Sequence, residues 1–272
     1  MFCAEIELGA AFLFGADESE DDSLEVCMRP LGVRLRFLWR RAQLVDQNRT
    51  AFGIHIRRSI ADHLVNRYDE KETERLGPEL ACLQWLSNCG AASVTMSDGE
   101  TLRRQKDVRE YVRHALEEQP STSKSAPISM TPFEREYERR WAKAPRHVHI
   151  VKVDASDAVA TDGGFRHFSD LRALSELRLH FNDYFTDEAL RILATGRPGQ
   201  TLRHFEIVLN PNITDSAVHW IARFTKLRSA HFYFLPYVSN RAAFVRHLKL
   251  SLPRCDVTFP ETDTIGLGHE AK

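Results

Sequence analysis

The 272-residue sequence lacks any apolar run that approaches the roughly 20 residues needed to span a bilayer. It also lacks an excess of either charge, because the formal net charge is -1, which argues against nucleic acid as a partner. Cysteine is scarce, and five residues at irregular spacing do not form the disulfide framework of a small secreted domain. The composition therefore predicts a globular protein of one or two domains in a reducing compartment.

Motifs for catalysis and metal binding are missing as well. Asp162-Gly-Gly164 is not followed by the Lys-Ser/Thr of a phosphate-binding loop. Cys82 and Cys89 do not have the spacing of a zinc motif with His147 and His149. Buried cysteines that act as small apolar side chains are the better interpretation, also against Cys89 as a nucleophile. We therefore predict no catalytic residue, no cofactor and no metal ion.

The N-terminal part of the chain carries two opposed charge patterns. Residues 1–27 contain acidic side chains but no lysine or arginine, whereas residues 28–41 contain arginines but no acidic side chain. An arginine-rich, acid-poor, amphipathic stretch is typical of a mitochondrial transit peptide. We expect residues 1–56 to be disordered, with a transit peptide that starts at Met28. A basic surface helix is the alternative interpretation.

The C-terminal half of the sequence repeats itself with an offset of 28 residues. Leu174-x-x-Leu-x-Leu-x-x-Asn182 recurs as Leu202-x-x-Phe-x-Ile-x-x-Asn210, and Phe185-Thr-Asp187 recurs as Ile213-Thr-Asp215. One partial unit precedes these two units, and one degraded unit follows them. The period lies within the roughly 20–29 residues of leucine-rich repeats.

Each position of the repeat has a physical reason. Alternate apolar residues of a short strand face the core, while Asn182 and Asn210 bond backbone groups where the chain leaves the strand. Thr186-Asp187 and Thr214-Asp215 are expected at helix starts, where the Asp or the Thr oxygen accepts hydrogen bonds from free N–H groups. One unit cannot bury its own apolar face, so units must stack. The predicted fold class is α/β, a short leucine-rich-repeat solenoid of about four repeats with an N-terminal helical cap; a plain α/β sheet is the alternative.

The predicted cap precedes the repeats. Pro78 suits the first turn of a helix that Gly90 ends, and Val94-Thr95-Met96 has the pattern of a short strand. Mixed charges and then serine and proline dominate the connection to the repeats. The predicted parts after residue 56 are the helical cap (57–99), a charged helix and Ser/Pro linker (100–147), the leucine-rich repeats (148–260) and a disordered tail (261–272).

Several stretches together resemble one family. They are Gly77-Pro-Glu-Leu-Ala-Cys-Leu-Gln-Trp-Leu-Ser-Asn-Cys-Gly90, Asn212-Ile-Thr-Asp215, Leu235-Pro-Tyr-Val-Ser239 and Leu252-Pro-Arg-Cys-Asp-Val257. In these stretches the chain resembles mitochondrial ATP synthase subunit s, also called coupling factor B, and the related distal membrane-arm assembly factor of respiratory complex I. The resemblance implies a non-enzymatic accessory protein at the matrix face of the mitochondrial inner membrane. This location is compatible with peripheral association with the membrane.

The partners that the resemblance implies are protein subunits of ATP synthase or of complex I, and it does not separate the two. The sequence departs from the family at two places. Arg75 stands where the family has an acidic residue linked with magnesium, and His180 and Asn182 stand where subunit s has a Cys-x-Cys. We therefore transfer neither a metal site nor a dithiol role to this chain.

We expect the partner to contact exposed positions of the strand face, together with one residue of the cap. These residues are Arg178, His180, Glu206, Val208, Arg228, Tyr233 and Trp85. A competing class of function is a cytosolic F-box-like leucine-rich-repeat adaptor for ubiquitin ligase substrates. That class needs an apolar, Pro-rich three-helix module before its repeats, and residues 57–90 are short and charged for such a module.

Overall fold

A computed structural model describes residues 65–117, 139–141, 145, 148–260 and 262. Three expectations concern residues outside this part of the chain. They are the disordered N-terminal part with a transit peptide, the Ser/Pro linker and the disordered tail. The described residues form a mixed α/β structure with one seven-stranded sheet.

The sheet has the strand order β2-β1-β3-β4-β5-β6-β7. Strands β3 to β7 run parallel to one another, and β1 and β2 are antiparallel to their neighbours. The strand bounds are β1 Ser93–Met96, β2 Thr101–Leu102, β3 Ile150–Asp154, β4 Glu176–His180, β5 His204–Val208, β6 Ser229–Tyr233 and β7 Asp256–Thr258.

Helices connect the parallel strands and form the N-terminal part that precedes the sheet. Their bounds are α1 Glu70–Leu76, α2 Pro78–Cys89, α3 Gln105–Glu117, α4 Asp187–Thr195, α5 Pro198–Thr201, α6 Ala217–Ile221 and α7 Arg241–Ser251, with a 3₁₀ helix at Asp162–Phe168. Each of the parallel strands β3 to β6 therefore leads into a helical segment that returns the chain to the next strand.

The two N-terminal helices are set by local signals. Asp69 caps α1, because its Oδ1 accepts hydrogen bonds from the backbone N–H groups of Lys71 (2.9 Å) and Glu72 (3.3 Å). Pro78 opens α2, where a missing N–H costs nothing. Gly90 ends α2 in the left-handed region at φ 89°, which glycine adopts without strain. The helix and its two end residues are as predicted from the sequence.

The repeated pattern appears in the sheet as a shared register. Leu177 and Leu179 of β4 lie beside Phe205 and Ile207 of β5, and all four side chains are buried. Neighbouring residues on the same strands alternate outward, as a period of two requires. Apolar side chains from every parallel strand join one continuous core with the apolar faces of the helices. Stacking of successive units therefore provides the burial that a single unit lacks.

Buried asparagine side chains bond backbone groups where the chain leaves β4 and β5. The buried Asn182 Nδ2 donates to the carbonyl oxygens of Ala155 (3.1 Å) and Ala158 (2.9 Å) in the preceding unit. The Asn210 side chain is also buried, and its Oδ1 accepts from the backbone N–H of Asn212 at 2.8 Å. Both amides thus satisfy backbone groups where the chain leaves a strand.

Aspartates after the strands form hydrogen bonds from each unit to the next. The Asp162 carboxylate accepts from the Thr186 N–H (2.6 Å) and hydroxyl (3.0 Å) of the next unit. Asp187 accepts in the same way from Thr214, and Asp215 accepts from the N–H groups of Ser239 and Asn240. Of the two capping side chains that the sequence predicted, the Thr186 hydroxyl caps its own helix, whereas the aspartates bond the following unit.

Glu79 joins the N-terminal helices to the repeated units. Its buried carboxylate accepts hydrogen bonds from the backbone N–H groups of Ile150 (2.8 Å) and Arg172 (3.0 Å). His149 Nδ1 lies 3.4 Å from the same carboxylate. Because Ile150 begins β3 and Arg172 precedes β4, one side chain of α2 fixes two separate parts of the sheet.

Asn66 makes a second connection between the same regions. Its Oδ1 accepts from Trp85 Nε1 (3.2 Å) and from the Thr161 backbone N–H (3.1 Å). The 3₁₀ helix packs closely here, since a Cβ added to Gly164 would lie 2.3 Å from Asn66 Oδ1 and 2.6 Å from the Trp85 ring. The Trp85 ring also stacks on His167, with centroids 5.1 Å apart. A glycine is therefore required at position 164 by close approach.

Candidate interaction surface

The outward side chains of β4 and β5 form a connected set of charges. The parallel register places Arg178 beside Glu206 and His180 beside Val208. Arg178 Nε lies 3.4 Å and His180 Nε2 lies 3.2 Å from the same Glu206 carboxylate oxygen. Four of the residues predicted from the sequence to bind a partner are thus brought together on one face.

This charged set is internally balanced. Glu176 accepts from Lys152 at 3.0 Å and from Arg178 at 2.8 Å, which extends the chain of ion pairs to β3. Partly exposed pairs of this kind contribute about 0–1 kcal/mol each to stability. Because carboxylates and cations alternate across the strands, the centre of the face has no strong net charge that would attract a charged partner.

Two further predicted residues, Tyr233 and Arg228, differ in where they lie relative to this face. Tyr233 ends β6 beside Val208 and is exposed. Arg228 is exposed but precedes β6, and the register instead places His231 beside Glu206. Arg228 therefore lies at the start of β6 and not beside Glu206, whereas Tyr233 lies on the face as predicted.

Trp85 is not a surface residue. Its side chain is only 4% exposed, because α2 packs against α1, α3 and the 3₁₀ helix. The indole ring contacts Phe165 and Phe168 edge-on in the core. The expectation that Trp85 contacts a partner is therefore corrected: it is a packing residue that holds the N-terminal helices on the repeated units.

A different feature of the surface lies where the parallel strands end. Asp157, Phe181, Leu209 and Phe234 follow successive strands, and each has a positive φ between 51° and 57°. The backbone N–H groups of the first three donate to the last carbonyl of the adjacent strand, at 2.8–3.0 Å. The left-handed turn thus adds one backbone hydrogen bond between neighbouring strands before the chain leaves the sheet. Non-glycine residues with this conformation are strained by about 1 kcal/mol or more.

The same turns expose large apolar side chains. Among the described residues, Phe181 is 57%, Phe234 is 51% and Tyr237 is 64% exposed, and Tyr233 adjoins them. We call these four side chains the aromatic ledge. The other large exposed apolar side chain among the described residues is Leu250 of α7, which is not at the strand ends.

A groove of about 570 Å³ runs beside the ledge. The residues that line it come from the ends of neighbouring strands and the turns after them. They are Asp157, Phe181, Asp183, Leu209, Asn210, Pro211, Phe234 and Pro236. The surface is thus apolar in its walls, and both charged residues in this set are aspartates.

Sequence reasoning missed the ledge for an identifiable reason. Phe181, Leu209 and Phe234 are apolar and adjoin the strand pattern, so they are easily counted as core residues. They also continue the period-two spacing of the buried residues, as Phe181 does after Leu177 and Leu179, so the pattern itself predicts them in the core. The left-handed backbone turn that exposes Phe181 and Phe234 has no mark in the sequence.

The described residues show no arrangement suited to metal or thiol chemistry. No group of three or more His, Cys, Asp or Glu side chains in this part of the chain is placed to hold a metal ion. Cys82, Cys89 and Cys255 are buried cysteines. Burial raises the pKa of Cys82, and burial together with the Asp256 charge raises the pKa of Cys255 to about 11. Both thiols are therefore protonated and unreactive at neutral pH.

The fold and surface define a class: a mixed α/β protein of stacked strand–helix units that exposes an aromatic row at its strand ends. Within the described residues, no helix has the length and apolar character to cross a membrane.

Sequence comparison finds distant relatives. Over 193 residues the chain is 23% identical to ATP synthase subunit s, mitochondrial, from Bos taurus. The matched region covers 71% of this chain and 80% of that protein. Proteins of the same name from Homo sapiens and Pongo abelii are also 23% identical, over 201 residues. No protein-family model matches the chain.

Proposed function

We propose that this chain is a non-enzymatic accessory protein of the mitochondrial inner membrane that acts by binding protein subunits of ATP synthase. The observation that carries the proposal is its similarity to subunit s, which spans 71% of the chain. The exposed aromatic row agrees with a binding role, because large apolar patches on a protein surface commonly mark interaction sites.

The proposal includes the architecture as a short leucine-rich-repeat solenoid of about four repeats. Supporting this are the matched register of β4 and β5, the two buried asparagines and the ladder of aspartates. Helices α1 and α2 with the β1–β2 hairpin would serve as the N-terminal cap, since they cover the end of the repeated core. Such a terminal cover is required wherever a repeated core would otherwise meet water.

The domain division follows from the same proposal. We assign the cap to residues 57–99, the charged helix and linker to 100–147 and the repeats to 148–260. In this arrangement Arg178, His180, Glu206 and Val208 would form part of the surface that meets the partner, and the protein would lie at the matrix face of the membrane.

Two other functions compete with this one. Assembly of the complex I membrane arm would use the same kind of surface, but the three relatives reported above are subunits of ATP synthase. A cytosolic F-box-like adaptor would need a different N-terminal module. Helices α1 and α2 form part of the same core as the repeated units, which disfavours a separate module at this position.

Localisation tests the compartment. We expect fluorescently tagged protein to be imported into mitochondria when translation starts at Met28, because residues 28–41 have the charge pattern of a transit peptide. Protease protection in swollen mitochondria should place the tag on the matrix side. The matched control replaces the arginines of residues 28–41 with glutamine, which should abolish import. Cytosolic signal from proteins started at Met1 and at Met28 alike would refute the mitochondrial proposal.

A further inference from the structure

The side of the sheet where the later parallel strands begin carries an excess of positive charge. Residues 196–255 contain nine lysines and arginines but two acidic residues, Glu206 and Asp215. Glu206 lies within β5 and Asp215 follows that strand, so neither lies where a strand begins. Four of the cations are exposed and lie within three residues of the start of β5, β6 or β7. We call them the basic edge: Arg203, Lys226, Arg228 and Arg254.

The register of the sheet places these cations side by side. His204 of β5 is paired with Ser229 of β6. Arg203 and Arg228 therefore occupy equal positions before neighbouring strands, and the Arg228 N–H donates to the Arg203 carbonyl oxygen at 2.8 Å. The Asp256 N–H donates in turn to the Arg228 carbonyl oxygen at 2.8 Å, so the start of β7 comes next in the row. Neighbouring strands are about 4.8 Å apart, and the cations thus form a line along the sheet.

The positive charge of the basic edge is not neutralised by the fold. In the part of the chain that the structure describes, none of its four side chains forms an ion pair, and the exposed Asp256 at the start of β7 forms none with them. Arg178 on the strand face differs, because it lies 2.8 Å from the Glu176 carboxylate. Neighbouring cations without acidic partners repel one another. Contact with an anionic partner would relieve this repulsion.

Negative charge lies at the opposite ends of the same strands. Asp187 and Asp215 follow β4 and β5, and their carboxylates accept hydrogen bonds from uncharged N–H and hydroxyl groups, so both keep their charge. Strands of five residues separate the two ends by about 17 Å, which is about twice the Debye length of roughly 8 Å at physiological ionic strength. An anionic surface at the basic edge is therefore attracted by the cations without repulsion from these aspartates.

An exposed apolar side chain accompanies the basic edge. Leu250 is 78% exposed and lies in the last turn of α7, which ends at Ser251. Four residues connect α7 to β7, so Leu250 lies on the side of the sheet where β7 begins. Arg246 and Lys249 on the same helix are exposed as well. Apolar side chains flanked by cations are typical of protein segments that contact anionic membranes.

Two other anionic partners fit this surface less well. Single-stranded nucleic acids need aromatic side chains on which bases stack, and the large exposed aromatic rings of the described residues lie at the opposite strand ends. Compact anions bind in concave sites where several donors converge, whereas the basic edge is a line. A broad anionic surface matches the arrangement best.

We propose that the basic edge and Leu250 contact the surface of a membrane that contains anionic phospholipids. The cations lie at the phosphate groups of the lipids, and Leu250 reaches the boundary between headgroups and acyl chains. In this orientation the aromatic ledge faces away from the membrane and stays accessible to a protein. The inference rests on the proposed function for the identity of the membrane, and deepens it by assigning the surface that meets the lipid.

Vesicle binding by the purified full chain tests the proposal. The protein carries glutamine in place of the arginines of residues 28–41, because a basic amphipathic segment would bind anionic vesicles by itself. One set of vesicles contains equal parts of phosphatidylcholine and phosphatidylglycerol, and the other contains phosphatidylcholine alone. We expect binding to the anionic vesicles to be at least about tenfold stronger. Raising the salt from about 0.1 M to about 1 M should release the protein, because the Debye length falls from about 10 Å to about 3 Å.

Variants of the protein locate the contact. Each cation near an anionic surface strengthens binding about fivefold, so the double substitution R203Q/R228Q should weaken it about 25-fold. The matched control is R104Q/R113Q, which removes two exposed arginines near or on α3 that lie beside Asp107 and Glu110. This control has the same net charge as R203Q/R228Q and should bind like the parent protein. Leu250→Ser should weaken binding about threefold, because it removes the apolar contact.

The outcomes distinguish lipid from protein partners. Salt-sensitive binding to anionic vesicles that falls in R203Q/R228Q and persists in R104Q/R113Q supports the proposal. Equal affinities of the two double variants, or equal binding to both kinds of vesicle, overturn it. Binding of a glutamate–serine peptide of about eight residues without binding to vesicles overturns it as well, since the basic edge would then fit an acidic protein segment.

Failure here is distinguishable from failure of the proposed function. The vesicles are synthetic and hold no protein, so a negative result leaves association with ATP synthase subunits untouched. Vesicle binding by a protein that captures no ATP synthase subunits would refute the proposed function and retain the lipid surface.

Discussion

Replacing Glu79 with alanine is expected to lower the free energy of unfolding by about 4 kcal/mol. The substitution leaves the N–H groups of Ile150 and Arg172 without their acceptor, and each unsatisfied buried donor costs about 1–3 kcal/mol. The two backbone donors and His149 surround the buried carboxylate, so the burial of Glu79 does not itself destabilise the wild-type protein. Urea unfolding monitored by tryptophan fluorescence measures the change.

Two comparison variants make this result specific to the contacts of Glu79. Glu79→Gln keeps one acceptor oxygen and should lose roughly half as much stability. Glu72→Ala removes an exposed carboxylate of α1 whose partner is Arg75 at 3.4 Å, and should change stability by less than about 0.5 kcal/mol. If Glu79→Ala were as mild as Glu72→Ala, the carboxylate would not join the N-terminal helices to the sheet in the way described.

Acidification is expected to destabilise the protein through His167. Burial lowers the pKa of this imidazole from 6.5 to about 4, although a hydrogen bond with the Arg67 backbone opposes the shift. Between these two pKa values the unfolded chain binds a proton that the folded chain does not, so stability falls as the pH falls from 6.5 towards 4. The loss from this residue is about 2 kcal/mol at pH 5 and approaches about 3 kcal/mol below pH 4.

A variant without a titratable ring isolates the effect. His167→Gln should unfold with a free energy that falls by about 2 kcal/mol less than the wild type between pH 8 and pH 5. His114→Gln is the matched control, because His114 is exposed on α3 and its loss should leave the pH dependence unchanged. Identical pH profiles for wild type and His167→Gln would show that the His167 ring titrates in the folded state as it does in water.

The parts of the fold that were predictable from the sequence depend on local periodicity. Alternation in Leu-x-x-Leu-x-Leu fixed the buried face of β4, and Pro78 and Gly90 fixed the ends of α2, because each signal acts on its own segment. The last unit carries a weaker pattern, because Ala230 and Leu235 replace the marker residues of the earlier units. His231, which lies beside Glu206 on the strand face, was not among the predicted contact residues.

The surface was less predictable because it depends on contacts between distant segments. Trp85 is buried by the 3₁₀ helix, which lies roughly 80 residues further along the chain, and no local pattern reveals this contact. The left-handed turns at Phe181 and Phe234 carry no glycine that would mark them. Glu79 appeared as an ordinary first-turn glutamate, and its partners at Ile150 and Arg172 are visible only in the folded chain.

Affinity capture from mitochondria tests the central claim most directly. The tagged full chain is expressed in cells, mitochondria are isolated and solubilised in mild detergent, and the bound proteins are quantified by mass spectrometry against an untagged control. We expect enrichment of ATP synthase subunits over membrane-arm subunits of complex I. Enrichment of complex I subunits in their place, or recovery of neither complex, would contradict it.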